Sequence, residues 1–168
     1  MGCGESQYNH NPSRTVPGRP RPEGSKIRLC CAGFTTSHHT GKARQIIDKI
    51  GEVHGSEYDT WFFWAPGKKY YEFVDEVKKE LPADQQERFG TRKGWSSPFV
   101  WLEMPDDGSR HALGGRDGLC EWVFLTFTAD CDKDIIALAK EKPRIREAFF
   151  SKEPGTAEGQ DVTQISEA

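Results

Sequence analysis

Several features that assign a chain quickly are missing here. No Cys-x-x-Cys pair occurs, and no grouping of cysteine and histidine has zinc-ligand spacing. No apolar run among the 168 residues approaches the roughly 20 needed to span a bilayer. The N-terminus is polar and proline-rich, which reads against a secretory signal. An excess of positive charge is also absent. The net charge is -3, so no general attraction to nucleic acid is expected. Five cysteines (Cys3, Cys30, Cys31, Cys120 and Cys131) are an odd number at no framework spacing, and reduced thiols inside a cell are the expectation.

What is present divides the chain in three. Residues 1–25 hold four of the ten prolines and almost no aliphatics, too little to offset chain entropy, so they read as a disordered arm. Residues 26–148 read as one domain with a real core. Residues 149–168 read as a disordered acidic tail, with Phe149 and Phe150 at its root available to dock on the domain.

The arm opens Met1-Gly2-Cys3-Gly4-Glu5-Ser6, which fits the N-myristoylation pattern M-G-x-x-x-[ST]. Cys3 beside Gly2 can take a palmitoyl chain, and two chains anchor a protein stably where one does not. The expectation is a membrane surface as partner, at the cytoplasmic face and in particular the plasma membrane. Without the acyl groups the protein would be cytoplasmic. Arg14, Arg19 and Arg21 add a weak basic patch. The VPGRPRP stretch reads as a spacer, or as a polyproline ligand for a protein partner.

In the domain, Lys26 to Phe34 predicts a buried strand with Cys30 and Cys31 on opposite faces. A Thr/Ser/His loop follows, then an amphipathic helix from about Thr40 to His54, with Ala43, Ile46, Ile47, Ile50 and Val53 on one face. Tyr58 to Ala65 is aromatic on both faces, as in a strand inside a covered sheet. A second helix runs to about Leu81. Pro82 to Gly94 reads as exposed, with one helical turn at Asp84 to Phe89. Phe99 to Met104 and Arg110 to Leu113 flank a Pro105-Asp106-Asp107-Gly108 hairpin signal. Helices follow at Asp117 to Phe127 and at Asp132 to about Lys142. The order β-α-β-α-β-β-α, then a further helix, predicts an α/β domain with a mixed four-stranded sheet flanked by helices.

The first strand, loop and helix converge backbone N–H groups and a helix dipole on Ser37-His38-His39-Thr40, a place that favours anions and thiolates. Over about residues 26–127 the chain resembles the glutaredoxin branch of the thioredoxin-like fold. In that family a Thr-Thr-Cys-Pro-Tyr-Cys loop follows the first strand, and here Thr35-Thr36-Ser37-His38-His39-Thr40 stands in its place. Ser96-Ser97-Pro98 is similar to the family's cis-proline motif. Gly114-Gly115-Arg116-Asp117 is similar to its glutathione-holding turn. The resemblance implies a groove built from Ser37, Ser97, Pro98, Gly114, Gly115 and Asp117 that can take glutathione or a peptide. No cofactor is required and no metal is expected.

The departures set the chemistry. Ser37 and Thr40 replace both active-site cysteines, and Phe34 stands where the family has a lysine for a glutathione carboxylate. A hydroxyl cannot replace a thiolate in disulfide exchange. The chain is in this respect similar to the redox-silent SH3-domain-binding glutamate-rich-like proteins. Ser37 and Thr40 can serve as helix caps alone, and Gly114, Gly115 and Asp117 as a turn with a cap. Ser37 could also lower the pKa of a bound thiol, as in some glutathione transferases, but the stretch after Phe127 is too short for their helical second domain. Adjacent His38 and His39 read as loop histidines without a shared metal. The reading is a membrane-tethered binding or adaptor module without dithiol chemistry. The alternative is a divergent glutathione-dependent oxidoreductase using Cys30, Cys31 or Cys131, and a third is a scaffold with no ligand.

Overall fold

A computed structural model describes residues 25–34, 37–65, 67–90 and 97–144. The expectations placed on Gly2, Cys3, the rest of the arm, Phe149, Phe150 and the acidic tail lie outside the described residues, as does Ser96.

The described chain is an α/β unit. Its elements are β1 (Ile27–Gly33), α1 (His38–Val53), β2 (Tyr58–Trp64), α2 (Gly67–Lys79), α3 (Ala83–Gln85), β3 (Phe99–Glu103), β4 (Arg110–Gly114), α4 (Arg116–Thr126) and α5 (Lys133–Lys140). The strands form one mixed sheet in the order β2-β1-β3-β4. β1 and β2 are parallel, while β3 is antiparallel to both β1 and β4. A parallel neighbour needs a crossover, and α1 supplies it.

Residue parity assigns the two faces. Leu29 and Cys31 of β1 join Phe62, Trp64, Val100 and Leu102 beneath α1, α4 and α5. Ala43, Ile46, Ile47 and Ile50 supply the apolar stripe of α1, and Leu119, Val123, Ile135 and Ile136 those of the other two helices. Cys30 and Ala32 face the other way, into Trp61, Phe63, Phe99 and Trp101 beneath Tyr70, Phe73, Val74 and Val77 of α2. The second face is the more aromatic, with Phe63 stacked on Phe73 at 3.9 Å. Each fully buried large side chain stabilises the fold by roughly 1.5–3 kcal/mol.

Two expectations need correction. Pro82 to Gly90, the described part of the stretch to Gly94 expected to be exposed, is not wholly exposed. α3 runs into a π-helical turn, Gln86–Gly90, which buries Phe89 in the aromatic core. Gln85 Oε1 accepts the Ala112 N–H at 2.7 Å, so this segment covers the β4 edge rather than standing off it. α1 begins at His38 rather than Thr40, because Ser37 takes the cap and the helix starts one residue later.

A row of charge crosses the sheet at the N-terminal end of β1. Arg28 pairs in register with Asp59 of β2 and Glu103 of β3, and Glu103 with Arg110 of β4. Arg28 is fully buried; its Nε lies 3.4 Å from Asp59 and its Nη1 3.6 Å from Glu103. Arg110 Nε lies 3.3 Å from Glu103 and its Nη2 2.7 Å from Glu80. Trp101 Nε1 donates to Glu103 at 3.1 Å. The sign alternates across all four strands, so each buried charge has an opposite neighbour.

Candidate functional site

The site lies at the other end of β1. Gly33 ends that strand where Thr40 and Ser97 press close, and a side chain there would collide with Thr40. Ser37 is extended, and its Oγ accepts the Thr40 N–H at 3.2 Å. It is therefore the N-cap of α1, as the sequence allowed.

Ser97 is the hub. It is 7 % exposed and stands immediately before β3. Its Oγ accepts the Phe34 N–H at 2.7 Å and shares a 2.5 Å hydrogen bond with Thr40 Oγ1. Tyr70, fully buried, hydrogen-bonds the same hydroxyl. One side chain thus ties together the exit of β1, the first turn of α1, α2 and the start of β3. Burial pushes the Tyr70 phenol well above its ordinary value, so it stays protonated here. The Ser97–Pro98 peptide is cis.

Gly114 and Gly115 close the third side. Gly114 has φ 108°, a conformation that favours glycine, at an irregularity in the β3–β4 ladder. Gly115 caps α4 without a side chain, and a Cβ on it would lie 3.5 Å from the Pro98 carbonyl oxygen. Asp117 follows in the first turn, where the helix dipole favours a carboxylate. Its side chain is 83 % exposed, and Arg116 Nη2 lies 2.6 Å from it. Any ammonium reaching Asp117 must share it with Arg116.

The six residues expected to line a groove, Ser37, Ser97, Pro98, Gly114, Gly115 and Asp117, therefore gather at one end of the sheet. The Ser97 hydroxyl is spent on internal bonds, which leaves the backbone beside Pro98 as its contribution to a ligand. His38 and His39 are not loop residues but the first two residues of α1, and their rings lie 4.2 Å apart. His39 is held below its ordinary value by burial, then by His38 and Arg116, with Asp117 opposing. The first turns of α1 and α4 thus face each other electrostatically. No group of three His, Cys, Asp or Glu side chains among the described residues could hold a metal ion.

Four residues at the site escaped the sequence. Arg116 stands beside Asp117, but nothing local showed that the two would pair. Tyr70 was read only as part of one helix face, and Tyr71 carried no signal of its own. Lys42 is buried in α1 with its Nζ 3.1 Å from Glu141, beyond α5. A lysine in an otherwise amphipathic helix gives no local sign of burial.

The thiols among the described residues are poorly placed for chemistry. Cys30 and Cys31 are fully buried on opposite faces, as parity predicted. Burial, then Asp48, drives the Cys31 thiol far above its ordinary value. Cys120 is buried near Lys42, Arg116 and Asp117, and burial raises it too. Cys131 is exposed, but it lies beyond the C-terminus of the 11-residue α4, whose N-terminus carries Asp117. No helix of the described residues is long and apolar enough to cross a membrane.

No protein-family model matches the chain, and no curated protein matches it.

Proposed function

We propose that the chain is a thioredoxin-like domain of glutaredoxin type that binds an extended peptide, glutathione being the smallest, without redox chemistry of its own. The mixed four-stranded sheet and its element order are compatible with that fold. The observation that carries the proposal is the meeting of Ser37, Ser97-Pro98 and Gly114-Asp117 around a backbone segment, with hydroxyls where thiol chemistry needs sulfur. Backbone N–H and C=O groups beside Pro98 would pair with the ligand like an added strand. The α1 and α4 N-termini would favour its anionic groups.

Gly2 and Cys3 would tether this module to the cytoplasmic face of a membrane, the plasma membrane in particular, where it acts as an adaptor for a protein partner. Support for the tether is the N-terminal motif alone. Incorporation of a clickable myristate in cells tests it, and Gly2→Ala should release the protein from the membrane fraction.

The groove is tested by titrating the full chain with glutathione under NMR and assaying the same sample for disulfide reduction. The expected result is amide shifts at Ser37, Phe99, Gly114 and Asp117 with no turnover. Unchanged spectra would sink the groove. Turnover abolished by Cys131→Ala would instead establish the oxidoreductase reading.

A further inference from the structure

The two ends of the groove differ in chemistry. At one end Arg116 and Asp117 form an ion pair at the start of α4, with His39 in its field. At the other end stands an aromatic shelf. Phe34 leaves β1 on the α2 side and packs against that core. Its backbone is held on both sides: its N–H donates to Ser97 Oγ at 2.7 Å, and its C=O accepts the Ser37 N–H at 3.3 Å. Its ring lies 4.6 Å from Tyr70 and meets Tyr71 edge-on at 5.6 Å. Tyr70 beneath is fully buried and bonded to Ser97. Tyr71 is 38 % exposed, an aromatic face left in solvent beside the backbone that Ser37 and Ser97 hold.

This layout fits a ligand of matching polarity. A charged amino-acid head, carrying both an ammonium and a carboxylate, complements the Arg116–Asp117 pair. An apolar ring at the far end complements Phe34 and Tyr71, because aromatic pairs gain from edge and offset contacts beyond their buried area. Glutathione supplies the head but ends in glycine, which has no side chain to lay on the shelf. We propose that the groove selects extended peptides with an aromatic side chain, seated on Phe34 and Tyr71, over glutathione itself. This rests on the groove reading above and names its ligand class. Main-chain pairing would supply the affinity and the shelf the specificity.

The test is a paired NMR titration of the full chain with glutathione and with γ-glutamyl-cysteinyl-phenylalanine. The phenylalanine peptide should bind about tenfold more tightly and shift the Phe34 and Tyr71 amides, which glutathione leaves less affected. Tyr71→Ala, a change at an exposed helical position, should erase the preference. Phe34→Lys, which sets an ammonium on the shelf, should reverse it toward the glycine carboxylate of glutathione. Equal affinities, or tighter glutathione, would overturn the selection and leave the groove standing. Binding by neither peptide would overturn both.

Discussion

Two polar networks are buried at opposite ends of β1, and they are made of different chemistry. At the N-terminal end, Asp59, Arg28, Glu103 and Arg110 form an alternating row of full charges across four strands. At the C-terminal end, Thr40, Ser97 and Tyr70 form a hub of neutral hydroxyls beside the α1 N-cap. Both satisfy polar groups in a dry interior, but their costs differ. Charges taken from water need opposite partners in good geometry, and losing one partner strands the others. Hydroxyls cost far less to bury and do not titrate near neutrality. The charged row suits a place where register must be held.

The comparison can be broken from the charged side first. Arg28→Met keeps the aliphatic stem and removes the guanidinium between Asp59 and Glu103. It should cost about 3–5 kcal/mol in chemical denaturation. A loss below that of the hub variant next described would show that the row is not held by charge. Ser97→Ala leaves the Phe34 N–H and the Thr40 hydroxyl without the partner they share. The expected loss is about 1–3 kcal/mol, together with spreading of the amide signals around Phe34 and Ser37. Ser37→Ala removes only a cap and should cost about 1 kcal/mol, with the fold intact by circular dichroism. If Ser37→Ala proved as costly as Ser97→Ala, the hub would not be the organising contact of the site.

The smallest effect is a slope with pH. Burial pushes the Asp59 carboxyl above its ordinary 3.8, with Arg28 and Lys26 pulling the other way. A carboxyl that holds its proton more tightly in the folded chain is stabilising while protonated. That contribution is complete below pH 3.8 and is lost as pH rises through the folded value. Relative to Asp59→Asn, the wild type should therefore be most stable at low pH and lose ground toward neutrality. A gap that widened in the wild type's favour with rising pH would mean that Arg28 outweighs burial. Variants of the hydroxyl hub should show no such slope.

Much of this was legible in the residues. Alternation in β1 placed Cys30 and Cys31 on opposite faces, and the three-to-four spacing of Ala43, Ile46, Ile47 and Ile50 marked the α1 stripe. Residue type marked Ser37 and Thr40 both as possible caps, and the structure gives the cap to Ser37. The burial of Phe89 within residues 82–90 was not legible, because Phe89 alone among polar neighbours carries no periodic signal.

By itself the sequence determined the element order, the two-sided burial of the sheet and the absence of sulfur at the α1 N-terminus. These follow from local periodicity and residue identity, which neighbours along the chain express directly. Only the tertiary structure decided that Ser97 would meet Phe34, 63 residues away, and Thr40, 57 away. It alone decided that Arg28 would lie between two carboxylates, and that Phe34 and Tyr71 would form one shelf. Those contacts depend on strand order and register, which are set when two apolar faces are buried together and not by any short stretch of chain.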